Sequence, residues 1–107
     1  MHDLALANAR SIMAEARARR PTLMIGPLPV CDRDVDARIA RLSAALAPLC
    51  ASIGVPYLEV FADAVASPVW AREVAAGDGA HPNAGGYAVI ATVVQRWPAW
   101  LAPIDVP

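Results

Sequence analysis

The sequence predicts an α/β fold with three principal helices and two parallel strands. Residues 23–25 are a short, wholly apolar stretch, which is typical of a strand buried in a parallel sheet, and residues 57–61, Tyr-Leu-Glu-Val-Phe, are predicted to form the second strand. Between them lies a long segment with apolar residues at helical spacing. A helix between two strands forms a βαβ unit, whose strands are parallel and whose crossover is right-handed.

Length predicts at most one small domain, and the composition is apolar for so short a chain. The chain has 107 residues, of which 57% are hydrophobic and 18% charged, and its mean hydropathy is +0.41. A chain of this length buries one modest core and keeps most of its surface in water. This apolar excess therefore indicates either that much of the alanine is tolerated on the surface or that a sizeable apolar face expects a partner.

Several functional classes have no support in the sequence. The formal net charge of −1 gives no general attraction to nucleic acid or anionic lipid. No apolar run reaches the ~18 residues of a membrane span. The first residues lack the features of a signal peptide, so we expect a cytoplasmic location. Cys31 and Cys50 lack the CxxC spacing of a metal site. We expect both to be small, partly buried residues. The sequence does not decide whether they form a disulfide.

The first helix is predicted over residues 3–19, with Asp3 as its N-cap and Pro21 as its stop. A strand buried on both faces follows at 22–26, and a rigid proline loop ends it at 26–29. The predicted buried face of the helix consists of Ala5, Ala9, Ile12, Met13 and Ala16.

The second helix has the clearest pattern in the chain. Asp32 or Asp34 can cap its start, and Gly54 is a standard stop. Pro48 lies inside the pattern and should kink or split the helix. Its apolar stripe consists of Val35, Ile39, Leu42, Leu46, Leu49 and Ile53.

After the second strand, the pattern indicates short helical segments at 63–66 and from Ser67-Pro68 onward. Asn83 is expected to cap a last principal helix, which Pro98 ends before a tail at 100–107. The predicted buried face of that helix consists of Tyr87, Ile90, Val94 and Trp97.

The candidate functional stretch is residues 77–87, Gly-Asp-Gly-Ala-His-Pro-Asn-Ala-Gly-Gly-Tyr. His81 lies where a turn gives way to a helix, and Asp78 is close enough to hydrogen-bond one ring nitrogen and leave the other facing outward. That arrangement is the acid–base half of a nucleophilic triad. The alternative interpretation of this stretch is a turn with a helix cap that has no catalytic role.

The same residues, 78–87, resemble the last conserved block of the SGNH hydrolases, also called the GDSL esterase/lipase family. The resemblance extends back through residues 23–30, the helix around Arg38-Ile39 and residues 54–61, and it includes residues 5–19. It implies a flavodoxin-like three-layer fold and metal-free hydrolysis of carboxylic esters, with no cofactor. By resemblance, His81 is the catalytic base and Asp78 the third member of the triad.

The family's nucleophilic serine belongs to a Gly-Asp-Ser block at the start of its domain, and its oxyanion hole uses two later blocks. None of these blocks occurs in the 107 residues. The resemblance therefore implies that residues 1–107 are one incomplete domain, the C-terminal part of an SGNH hydrolase. It carries the His/Asp dyad and is inactive alone, and its partner in the complete enzyme is a small ester substrate.

Two other interpretations remain open. The first is a non-catalytic flavodoxin-like module for binding or structure, which a His81 ring packed into the core would favour. The second is a metal site of His81, Asp78 and either His2 or a cysteine, although no HxxxH, CxxC or clustered carboxylate spacing supports it. Whatever the function, two parallel strands cannot cover three amphipathic helices as a full sheet would. We therefore expect an unpaired sheet edge, open to self-association or complementation.

Overall fold

The computed structural model describes residues 2–102, and there the chain forms two parallel strands and six helices. The predicted α/β class is confirmed. The elements, in chain order, are α1 His2–Arg19, β1 Met24–Ile25, α2 Arg33–Ser52, β2 Tyr57–Leu58, α3 Phe61–Val65, α4 Pro68–Ala76, α5 Ala84–Gln95 and α6 Pro98–Leu101.

The sheet is the βαβ unit that the sequence predicts. Strand β1 pairs with β2 in parallel, with Met24 opposite Tyr57 and Ile25 opposite Leu58. The amide of Met24 donates to the Pro56 carbonyl at 2.9 Å, and that of Gly26 donates to the Leu58 carbonyl at 2.8 Å. Helix α2 is the crossover between the strands.

Both strands are shorter than expected, and the first is also less covered than expected. Strand β2 ends at Leu58, and Phe61, predicted to be in the strand, begins α3. Ile25 is 42% exposed, so the prediction of burial on both faces is wrong. Successive strand residues point to opposite faces. Met24 packs against the core beneath α1 and α2, whereas no comparable core lies over Ile25 among the described residues.

Helices α1 and α2 enclose the first core, formed by Met13, Cys50 and Val55. The Arg17 guanidinium joins the two helices by donating to the Ile53 carbonyl at 3.0 Å. Ile12, predicted to face inward, is 68% exposed because α1 rests on one neighbouring helix and buries only a narrow stripe. Asp3 does not cap α1, since the helix already includes His2.

Helix α2 begins and ends as predicted. The Asp32 carboxylate accepts from the amides of Asp34 and Val35, and Gly54 has the positive φ of +72° that ends many helices. Pro48 does not split the helix, which is continuous from Arg33 to Ser52. Pro48 is exposed and lies in the last turns, so its ring meets solvent and its missing N–H removes a single bond near the helix end.

A second core holds the C-terminal helices together. Ala64, Trp70 and Val74 form it, with Leu28 and Ile90 packed against them. Helix α5 contacts both α3 and α4.

The predicted buried face of α5 is only partly buried. Ile90, Val94 and Trp97 are intermediate, and Tyr87 is 50% exposed. The fully buried residue of the helix is Gly86, because α5 approaches its neighbours through its glycine side.

The C-terminal prediction of a tail is partly wrong. Pro98 occupies the first position of α6, where its missing N–H is not needed, so the chain turns once more through Leu101. Residues 103–107 of the predicted tail lie outside the described residues. No helix of the described part of the chain is long and apolar enough to cross a membrane.

Both cysteines are free, so the disulfide that the sequence left open is not formed. Cys50 is buried as expected, whereas Cys31 is exposed. Cys31 also has a positive φ of 60° at the end of the proline loop.

Candidate active site

The turn that carries His81 is shaped by the Asp78 carboxylate. Oδ1 of Asp78 accepts hydrogen bonds from the backbone amides of Ala80 and His81, both at 2.8 Å. Gly79 has a φ of +82°, a conformation that side chains with a Cβ rarely adopt. An aspartate followed by glycine therefore folds the chain back on itself within four residues.

The other oxygen of the same carboxylate holds the imidazole ring. Asp78 Oδ2 lies 2.8 Å from His81 Nδ1. The two side chains are exposed, at 71% for His81 and 60% for Asp78. Among the described residues no hydrogen bond to Nε2 is present. The sequence predicted this contact from a spacing of three residues, and the ring is not packed into a core with both nitrogens bonded.

These hydrogen bonds keep Asp78 ionised. They lower the pKa of its carboxyl group from 3.8 to about 2, chiefly through the bond from the His81 side chain and then through the amides of Ala80 and His81. At neutral pH the carboxylate is an acceptor, so it favours the proton on His81 Nδ1 and a lone pair on Nε2. A histidine in this state can accept a proton from a hydroxyl group.

Helix α4 holds both ends of the turn. At the start, the Gly77 amide donates to the Glu73 carbonyl at 3.1 Å and the Gly79 amide to the Val74 carbonyl at 3.1 Å. At the end, Glu73 Oε1 accepts from the amides of Asn83 at 2.9 Å and Gly86 at 2.7 Å. The turn is thus fixed to one helix on both sides of His81.

Asn83 stands at the predicted cap position of α5, but its side chain makes no capping hydrogen bond. Glu73 performs that task from α4, ten residues earlier. Sequence reasoning missed Glu73 because the capping patterns it uses are local, within about three residues of the helix start. Only the packing of α4 on α5 could have revealed it.

A shallow groove of about 240 Å³ lies beside the imidazole. Its far wall is the loop that follows β1. The Trp70 indole N–H donates to the Pro29 carbonyl at 3.3 Å, and the Val30 amide donates to Asp36 Oδ1 at 2.8 Å. The groove is lined by Leu28, Pro29, Val30, Trp70, Ala80, His81, Pro82 and Tyr87.

The aromatic rings of the groove form an edge-to-face pair. The centroids of Trp70 and Tyr87 are 6.3 Å apart with an angle of 83° between the rings. Tyr87 was expected to anchor the core, whereas half of its surface is exposed beside His81. The helical spacing of Tyr87 indicated a core contact correctly, but it could not show that the residue lies at the open end of the helix interface.

Three of the serine hydroxyl groups take part in hydrogen bonds with residues other than His81. Ser43 is buried and 2.7 Å from the Tyr57 hydroxyl, Ser67 caps α4, and Ser52 donates to the Leu49 carbonyl at 2.6 Å. Burial and then the Asp36 carboxylate raise the pKa of the Cys31 thiol, which favours its protonated, weakly nucleophilic form. Among the side chains of residues 3–102, no three of His, Cys, Asp or Glu lie together as a metal site would require, and the His2 side chain lies outside the described part.

The motif, the βαβ unit and the histidine turn can be compared with protein families. The family described as the GDSL-like Lipase/Acylhydrolase family matches residues 2–89. The chain belongs to this family. The match begins in α1 and reaches the first turns of α5, so both Asp78 and His81 lie inside the part of the GDSL-like hydrolase that matches.

The family resemblance stated from the sequence is therefore confirmed, and with it membership in a hydrolase family. The two parallel strands and the surrounding helices are compatible with part of such an α/β hydrolase. A comparison with curated proteins found no match.

Proposed function

We propose that this chain supplies the acid–base pair of a carboxylic ester hydrolase. One observation carries the proposal. His81 Nδ1 is bonded to the Asp78 carboxylate at 2.8 Å, while Nε2 lies on an exposed ring beside a groove. A general base needs its accepting nitrogen within reach of substrate and its other nitrogen fixed.

In the proposed reaction His81 transfers one proton in each of two half-reactions. Nε2 takes the proton of a serine hydroxyl as the serine oxygen attacks the ester carbonyl carbon, and Asp78 stabilises the imidazolium that forms. The imidazolium then gives the proton to the departing alcohol. Water repeats the sequence on the acyl-enzyme, which releases the acid and restores the serine.

The nucleophile of this reaction is proposed to come from outside the 107 residues. No Gly-Asp-Ser block occurs among them, and the Oγ atoms of Ser43, Ser52 and Ser67 make hydrogen bonds with residues other than His81. The chain would then correspond to the C-terminal part of a flavodoxin-like SGNH domain. Alone it would carry the dyad and hydrolyse esters no faster than free imidazole does.

The sheet suggests where the rest of such a domain would attach. Strand β1 uses the amides of Met24 and Gly26 to bind β2, so its other edge has no strand beside it among the described residues. Ile25 and Leu23, 42% and 39% exposed, lie in this region. We propose that this edge pairs with the segment that carries the serine.

The groove suggests which part of an ester would lie beside His81. Apart from the imidazole, its side chains are aliphatic or aromatic. An uncharged acyl or alkyl group loses little solvation in such surroundings, whereas a carboxylate or ammonium group would lose much more. We therefore propose an ester that is uncharged on the side facing this groove.

The test is to complete the domain and remove the base. The first half of a GDSL-family hydrolase, with its serine block, is fused ahead of residue 2, and hydrolysis of p-nitrophenyl acetate is measured. We expect turnover that falls by at least about 10² on His81→Ala, the usual contribution of a general base. The matched control is the same fusion with its serine replaced by alanine.

A fusion that is folded by circular dichroism and hydrolyses the ester equally well with His81→Ala would contradict the proposal. Equal loss from His81→Ala and from the serine control would support it, because the members of a triad act as one unit.

A further inference from the structure

Glu73 is an acidic residue in the middle of α4, and its carboxylate faces the start of α5. Its Oε1 accepts from two backbone amides, Asn83 at 2.9 Å and Gly86 at 2.7 Å. The side chain is partly buried, and a Cβ added to Gly85 would come within 2.5 Å of Oε2. Gly85 thus leaves room for this carboxylate.

The acceptor has the right charge for its place. The first amides of a helix have no carbonyl partner within the helix and carry partial positive charge. In α5 the Asn83 side chain, which could cap them, makes no capping bond. Glu73 satisfies two of these amides from a neighbouring helix, with hydrogen bonds strengthened by its charge.

The contact reaches His81 through a stiff connection. Only Pro82 separates His81 from Asn83, and its ring fixes one of the backbone torsions between them. Pro82 is buried, and a Cβ at Gly86 would overlap its ring. A displacement of Asn83 would therefore be passed on to His81 with little loss.

We propose that Glu73 is a positioning residue for His81, which holds the imidazole at the angle where it meets Asp78 and faces the groove. The consequence for catalysis rests on the proposed function, whereas the positioning itself does not. Because Gly77 and Gly79 are anchored on the same helix, loss of Glu73 frees one end of the turn and leaves the other attached.

The test uses four variants of the chain and follows the ionisation of Asp78 by carboxyl ¹³C chemical shift. Glu73→Ala removes both acceptors, and Glu73→Asp keeps the charge but draws the carboxylate back by one methylene. In both variants we expect the pKa of Asp78 to rise from about 2 toward 3.8, because the bond from His81 is the largest cause of its lowered value. Glu73→Gln keeps an oxygen at the Oε1 position and should restore the low midpoint.

The matched control is Glu59→Ala. Glu59 also caps a helix, with its carboxylate 3.2 Å from the Ala62 amide at the start of α3, and its side chain makes no hydrogen bond to the His81 turn among the described residues. We expect Glu59→Ala to lower the free energy of unfolding and leave the Asp78 midpoint in place. This control thus distinguishes a general loss of stability from a displacement of the His81 ring.

An unchanged midpoint in folded Glu73→Ala or Glu73→Asp would overturn the proposal, as would an equal shift in Glu59→Ala. If Glu73→Ala does not fold, the contrast between Glu73→Asp and Glu73→Gln decides, and equal midpoints in these two overturn it. The readout needs no ester turnover, so a failure of the proposed hydrolase activity would leave this result standing.

Discussion

At the scale of the residue, Asp78 joins the shape of the turn to the state of the histidine. One carboxylate oxygen binds the amides of Ala80 and His81, and the other binds the ring. Any substitution that removes the ring contact therefore leaves the turn with its backbone bonds. The two contributions can be separated by titration.

We expect Asp78 to titrate at about 2, and its midpoint to rise in His81→Ala while staying below the ordinary 3.8, because the bonds to the Ala80 amide and to the backbone amide of residue 81 remain. The measurement is the carboxyl ¹³C shift as a function of pH. Because folding lowers this pKa, its contribution to stability is present above about pH 4 and is lost as the pH falls toward about 2. A parent midpoint near 3.8, or equal midpoints in both proteins, would contradict the assignment.

The Asp78–His81 contact could be predicted from the sequence because it is local. Three residues, one of them a glycine with positive φ, leave few ways for the turn to close. Glu73 could not be predicted, since its partners lie ten and thirteen residues away and depend on how α4 packs on α5. Contacts set by tertiary packing have no counterpart in a local pattern.

At the scale of the element, α4 connects the two walls of the groove. Trp70 binds the Pro29 carbonyl on one side, and Glu73 binds the start of α5 on the other. Trp70 is 2% exposed and lies in the second core, so its indole both packs and satisfies a loop carbonyl. The position of the loop after β1 should therefore depend on Trp70.

We expect Trp70→Phe to lower the free energy of unfolding by about 1–3 kcal/mol, from the lost hydrogen bond and the smaller ring. Urea denaturation is the measurement. The same substitution at Trp100, which is 57% exposed, is the matched control and should stay within about 0.5 kcal/mol. Equal effects at the two positions would show that Trp70 has no special role.

Helix existence was easier to predict than the faces that helices bury. The stripe of α2 and its Asp32 cap follow from local spacing, and both are present. Ile12 and Tyr87 fit helical patterns equally well but remain largely exposed. A periodic pattern gives the direction of a face, whereas the number of neighbours that cover it is set by the rest of the domain.

At the scale of the whole molecule, a sheet of two strands leaves apolar side chains in water. Leu4 is 72% exposed, Ile12 68% and Ile25 42%. The high mean hydropathy of the sequence predicted such a surface. It accords with the proposal that a further part of the hydrolase domain covers some of this apolar surface.

We expect the 107-residue chain alone to hydrolyse p-nitrophenyl acetate no faster than free imidazole at the same concentration. Loss of a triad nucleophile costs roughly 10⁶ in turnover, and loss of one oxyanion donor costs about 10²–10³ more. The control is His81→Ala, which should remove only the imidazole contribution. Saturable turnover that depends on His81 would mean that this chain contains its own nucleophile.

We propose that Asp78 makes His81 a base, and the protonation of the ring tests this proposal most directly. Long-range ¹⁵N–¹H spectra of the chain, recorded where the ring is neutral, report which nitrogen carries the proton. We predict a proton on Nδ1, facing Asp78 Oδ2 at 2.8 Å, and an unprotonated Nε2. A ring protonated mainly on Nε2 would contradict the account, because the nitrogen that must accept the proton would already hold one.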